Sequence, residues 1–147
     1  MESSAYASPA VFGRVTAGYD QLLLDLKLMD PARHLELMGV PLEPILENIQ
    51  QAATRNRIDP GKSMIVRIPV IPGLNDSWEN LAASAAFCAE AGVKEMNLLP
   101  YHKLGMPKYE KLGLEYSLKE VTQPERAELR ALAARLMTEY ELEAKVL

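Results

Sequence analysis

The sequence predicts an α/β fold, a partial (β/α) barrel of parallel strands with covering helices. Three observations carry the prediction. Apolar runs of strand length alternate with helical patterns, which implies crossover connections and a parallel sheet. Capping and stopping residues fall between the segments at regular intervals. The strands are too few to close a barrel, yet parallel strands need cover. The 147 residues therefore read as one partial-barrel domain, 1–147, belonging to a larger barrel whose N-terminal half is absent.

Each element has a local reason. Ser8-Pro9 starts a short helix that ends near Gly18, since Ser caps well and Pro suits the first helical position. Tyr19 to Leu28 reads as a leucine-rich strand. Asp30-Pro31 caps a helix stopped by Gly39, and Leu42 to Arg55 forms another, with Leu42, Ile45, Leu46 and Ile49 at helical spacing. Lys62 to Ile71 is dense in β-branched residues and reads as a strand. Ser77 opens a helix that Gly92 ends, with Asn80 where a capping box prefers Glu or Gln. Val93 to Leu99 is the next strand, and Pro100 to Glu120 a long connection. Pro124 opens a last helix to about Tyr140, and Ala144 to Leu147 reads as a further strand or a tail.

Composition narrows the function. Sixteen basic residues are scattered among 20 acidic ones, for a net charge of −4, so nothing suggests a nucleic-acid stripe or attraction to an anionic membrane surface. No apolar run approaches the roughly 20 residues of a membrane span. The first residues carry no signal-peptide pattern, and a cytoplasmic protein is expected. One cysteine excludes an intrachain disulfide and any metal site built mainly on cysteine within these residues.

Charge at strand ends marks the candidate site. Asp25 and Lys27 are two apart, so they share one face while Leu24, Leu26 and Leu28 share the other. Arg67 interrupts the most apolar strand, and His102 follows the next one. Ligands in α/β folds bind at the carboxyl ends of strands. Two cations, an anion and a histidine suit a small ligand with a carboxylate and hydroxyls rather than a metal. His34 reads as a surface or capping residue, and Cys88 as a buried structural thiol. Pro72-Gly73-Leu74-Asn75-Asp76 reads as a turn first and a ligand loop second. Gly105 to Gly113, with Lys103, Lys108 and Lys111, reads equally as a lid, a docking loop or a solvated loop.

Three stretches carry a resemblance. Asp25-Leu26-Lys27 with Met29-Asp30, then His34, Gly39-Val40 and Ile45-Leu46-Glu47-Asn48-Ile49, form the first. Arg67-Ile68-Pro69-Val70-Ile71-Pro72-Gly73-Leu74-Asn75-Asp76 is the second, and Asn97-Leu98-Leu99-Pro100-Tyr101-His102-Lys103-Leu104-Gly105 with Lys108-Tyr109 the third. Together they resemble the C-terminal half of glycyl-radical-enzyme activating enzymes, of which the pyruvate formate-lyase activating enzyme is the best known. The resemblance implies the C-terminal part of a (β/α)6 radical S-adenosylmethionine barrel. It also implies an oxidoreductase that cleaves S-adenosylmethionine with a [4Fe–4S] cluster and takes a hydrogen atom from a glycine of a partner enzyme. Asp25, Lys27, Arg67 and His102 match the family's S-adenosylmethionine contacts. Glu2 and Ser3, with Asp25, match a monovalent cation site described for a relative.

One departure matters. The family's C-x3-C-x2-C cluster loop is not in these residues, and Cys88 cannot replace three thiolates. No cluster is expected to bind this chain, and no catalytic residue is assigned; alone it is expected to be inactive. The alternative is a non-catalytic half-barrel that docks on a glycyl radical enzyme or on a separate N-terminal half. An unrelated aldolase-type half-barrel is disfavoured, because no glycine-rich phosphate loop follows the last strand. An incomplete sheet is also expected to self-associate through its exposed edge.

Overall fold

A computed structural model describes residues 1–147. Five parallel strands form one sheet in sequential order: β1 (Glu2–Ser3), β2 (Gln21–Asp25), β3 (Ser63–Val70), β4 (Glu95–Pro100) and β5 (Glu143–Val146). The connections carry α1 (Pro9–Thr16), α2 (Pro31–Met38), α3 (Glu43–Ile58), α4 (Trp78–Ala91), α5 (Met106–Lys111) and α6 (Arg126–Tyr140). Strands that pair in sequence order through right-handed crossovers place their helices on one side of the sheet. The packing of α1 on α3, α3 on α4 and α4 on α6 shows that single helical layer.

The expected architecture holds, with shifted boundaries. The stretch expected at Ala144 to Leu147 as a strand or a tail is a strand, Glu143–Val146, paired with β4. The residues Glu2 and Ser3 pair with Leu23 and Leu24 as a two-residue edge strand. The connection from Pro100 to Glu120 is not plain loop; it holds a 3-10 turn, Lys103–Gly105, followed by α5. The hydrogen-bonded strand β2 stops at Asp25, two residues short of Lys27. Alternation nevertheless continues, because Leu22, Leu24, Leu26 and Leu28 are all buried under the helices.

Helix ends follow the local chemistry. The Asp30 carboxylate accepts from Arg33 N at 2.8 Å, and Gly39 ends α2 in the left-handed region at φ 72°. Ser77 caps α4 through Asn80 N at 3.2 Å. The Asn80 side chain does not return to the cap, as a capping-box residue would. Its Oδ1 accepts from Met29 N at 2.8 Å, and its Nδ2 donates to Asn75 O at 2.9 Å. A local cap has become a tertiary tie between α4 and the end of β2.

Candidate functional site

The strand registers align polar residues across the sheet. Asp25 stands beside Arg67, Arg67 beside Asn97, and Asn97 beside Lys145. This row lies on the face away from the helices, where Asp25 and Arg67 are partly exposed and Asn97 is buried. The neighbours of these residues along each strand, Leu24, Val66, Met96 and Ala144, lie in the core.

Arg67 is the hub of the row. Its Nε and Nη2 donate to Asp25 Oδ1 at 3.1 and 2.8 Å, and Nη2 also pairs with Glu2 from the neighbouring edge strand. Burial opposes the guanidinium charge, but hydrogen bonds and charge from Asp25, joined by Glu2, outweigh it and raise the pKa above the ordinary arginine value. The two carboxylates of the candidate cation site thus already share a counter-ion. Ser3 accepts from Ala5 N at 3.0 Å and serves the turn after β1.

Lys27 lies just beyond β2 and has no carboxylate partner. It lines a cavity of about 270 Å³ with Asp25, His34, Met38 and Ile45. The Lys27 backbone is held from below: its carbonyl accepts from Asn75 Nδ2 at 2.7 Å, and Asn75 also donates to Pro69 O at 2.8 Å. Asn75 Oδ1 in turn accepts from Ile71 N at 2.7 Å. The Pro72–Asp76 turn is therefore a clip that locks the ends of β2 and β3 together. The turn expected from the sequence is there; the clip is a tertiary feature, signalled only by two asparagines around the strand-to-helix turn.

The structure corrects the reading of His34. It is neither on the surface nor a cap: it is 2% exposed, and its Nδ1 lies 2.9 Å from Val40 O. The cavity wall and the turn at Gly39 close over it. His102, by contrast, is exposed, and its Nδ1 accepts from Leu104 N at 3.4 Å. It lies five residues past Asn97, which is about 16 Å along an extended strand, so it stands at the rim and not beside Arg67. Asp25 and Arg67 are thus in contact, Lys27 shares the cavity with Asp25, and His102 stands outside that cavity wall.

Cys88 lies in α4, on the helix side of the sheet, and burial pushes its thiol up to about 12. A thiol so shielded is a packing group. No three His, Cys, Asp or Glu side chains gather to hold a metal ion. No helix is long and apolar enough to cross a membrane.

A sequentially ordered parallel sheet with helices on one side and a polar row on the other has the layout of a partial (β/α) barrel. The solved structure of a domain of the pyruvate-formate lyase-activating enzyme from Bacteroides vulgatus superposes with TM-score 0.74 at 27% identity, covering 99% of this chain and 78% of that one. Streptococcus suis SuiB, solved bound to S-adenosylmethionine, shares the fold at TM-score 0.62 and 19% identity, over 99% of this chain and 30% of its own.

Sequence comparison is more specific. The indoleacetate decarboxylase activating enzyme of Tractidigestivibacter scatoligenes is 40% identical over 120 residues, 82% of this chain and 37% of that enzyme. The pyruvate formate-lyase 2-activating enzyme of Escherichia coli is 34% identical over 113 residues, 77% of this chain and 37% of that enzyme. No protein-family profile matches the chain. By sequence and fold the chain is a homologue of the glycyl-radical-enzyme activating enzymes. It spans about two-fifths of the length of the curated relatives it matches.

Proposed function

We propose that this chain is the C-terminal half of the barrel of a cytoplasmic radical S-adenosylmethionine enzyme that installs a glycyl radical on a partner lyase or decarboxylase. The observation that carries the reading is the Asp25–Arg67 pair with the free Lys27 at the carboxyl end of β2, Arg67 reaching Asp25 from within β3. S-adenosylmethionine, when bound with a reduced cluster, supplies the radical chemistry. The residues present fit part of such a ligand. Lys27 offers an uncommitted ammonium for a carboxylate, and Asp25 offers an acceptor for sugar hydroxyls. Arg67 already gives Nε and Nη2 to protein carboxylates, so its part is to hold Asp25 and Glu2 in place. His102 extends the site at the rim.

The residues do not fit the cluster. One buried thiol on the far side of the sheet is the only cysteine, so cluster ligands must come from outside these 147 residues. We expect no glycyl radical from this chain alone.

Titration with S-adenosylmethionine by calorimetry tests the reading. Saturable binding that Lys27→Ala and Arg67→Ala each weaken by tenfold or more supports it. Wild-type affinity in both variants would overturn the site. A second reading is favoured by the partly exposed face: the half-barrel docks, without chemistry, on a glycyl radical enzyme, a separate barrel half or a second copy through its open edges. Stable association with any of these without S-adenosylmethionine binding would favour it.

A further inference from the structure

We propose that His34 is a third ligand-contacting group of the Asp25–Lys27 cavity, a neutral imidazole that accepts a hydrogen bond through Nε2 from an O–H or N–H of the bound molecule. The inference rests on the S-adenosylmethionine reading above and adds a residue to it.

The first support is the tautomer. A carbonyl oxygen only accepts, so the 2.9 Å contact between His34 Nδ1 and Val40 O requires the proton on Nδ1. In the neutral ring, Nε2 then carries a bare lone pair. It makes no hydrogen bond within the protein, yet it is not among the sealed polar atoms that lack a partner. The ring lines the cavity that Lys27 and Asp25 also line. An acceptor left unpaired there, beside an ammonium, invites a donor from the ligand.

The second support is the segment after β1. Ser4 and Tyr6 line the same cavity, and between them Ala5 takes a left-handed conformation, φ 58°. A residue with a Cβ pays for that conformation unless its surroundings hold it. Asn48, fully buried in α3, does so: its Nδ2 donates to Ala5 O at 2.8 Å and to Ala7 O at 2.9 Å. That segment and the His34 ring are thus fixed by separate devices, the Asn48 clamp and the His34–Val40 bond. A small cavity lined by Lys27, Asp25, His34, Ser4 and Tyr6, with Met38 and Ile45 as apolar lining, suits a polar ligand portion.

Two variants separate contact from scaffolding. His34→Asn keeps an N–H near the Nδ1 position to bond Val40 O and deletes the Nε2 acceptor. His34→Gln keeps a polar atom near Nε2 and loses the Val40 bond. We expect the Asn variant to fold with a melting temperature close to wild type and to bind S-adenosylmethionine about tenfold more weakly. The Gln variant loses more thermal stability than affinity. In nitrogen-15 spectra of the labelled chain, His34 Nε2 resonates as an unprotonated nitrogen and moves on S-adenosylmethionine addition, while Nδ1 stays. Wild-type affinity in His34→Asn, or an unmoved Nε2 at saturation, overturns the proposal and leaves the functional reading intact. Wild-type chain that binds no S-adenosylmethionine overturns that reading, and the His34 contact falls with it.

Discussion

On the helix side of the sheet, Leu22, Leu24, Val66, Ile68 and Leu98 are wholly buried. One residue along each strand, on the side away from the helices, stand Leu23, Asp25, Ile65, Arg67 and Leu99, all partly exposed. Strand geometry makes the alternation: each residue faces opposite to the next, so one face is free to hold charge while the other builds a core. In a sheet wound with helices on one side, the second face is where another body belongs. The row from Asp25 to Lys145 gives that face its polar groups, and Leu23, Ile65 and Leu99 supply apolar ones beside it.

The sharpest test of that contrast uses adjacent strand positions in β3. Ile68→Ala should cost about 2–5 kcal/mol, because a wholly buried side chain leaves a cavity the helices cannot fill. Ile65→Ala, on the open face, should cost about 1 kcal/mol or less, since little apolar area is lost there. Urea unfolding midpoints at matched slope measure both. Equal costs would show that the open face is covered in solution, as self-association would make it.

The second test breaks the link between the two faces at the strand ends. Asn75→Ala removes the clip on Lys27 O, Pro69 O and Ile71 N, and leaves these backbone groups to find water. A loss of roughly 2–3 kcal/mol is expected. Ligand affinity should fall as well, because the carbonyl that anchors Lys27 keeps only the 3.4 Å bond from Asn80 Nδ2. Unchanged affinity in a destabilised Asn75→Ala chain would show that Lys27 is placed by β2 alone.

Legibility in the sequence follows the same division. The leucine alternation from Leu22 to Leu28 is a local signal, and so is the charge at Asp25, Lys27 and Arg67 against an apolar background. Strand pairing then fixes neighbours, which is why Asp25 and Arg67 are found in contact. The burial of His34 is not legible in α2 alone: it is the one buried residue of that helix, and its bond to Val40 O comes from the chain beyond the Gly39 cap. The tertiary bonds of Asn75 and Asn80 are illegible locally for a related reason. Their partners Lys27 and Met29 lie about 50 residues back, at separations of 48 and 51. His102 stands past the last ladder bond, where strand register no longer dictates position.

The smallest expected effect sits where the chain covers its own open face. Tyr101 follows β4 with the parity of Asn97 and Leu99, yet it is buried, because the segment after His102 folds back over it. Its hydroxyl donates to Leu118 O at 2.9 Å and, having one hydrogen, accepts from Tyr116 at 3.0 Å. Burial, then the bond and charge of Tyr116, push the Tyr101 phenol up to about 12. The unfolded phenol titrates near 10, so below that pH the clasp contributes fully. Between 10 and 12 the unfolded chain releases a proton that the folded chain keeps, and the contribution falls until it is lost above 12. Tyrosinate absorbance should therefore show a late step, and Tyr101→Phe should abolish it. The same variant should barely move the melting temperature, while trypsin cuts faster at Lys108 and Lys111 because the segment has lost its tie. Unchanged cleavage would mean that Lys103, which donates to Lys119 O, and the Tyr109–Tyr116 edge contact hold the segment without the hydroxyl.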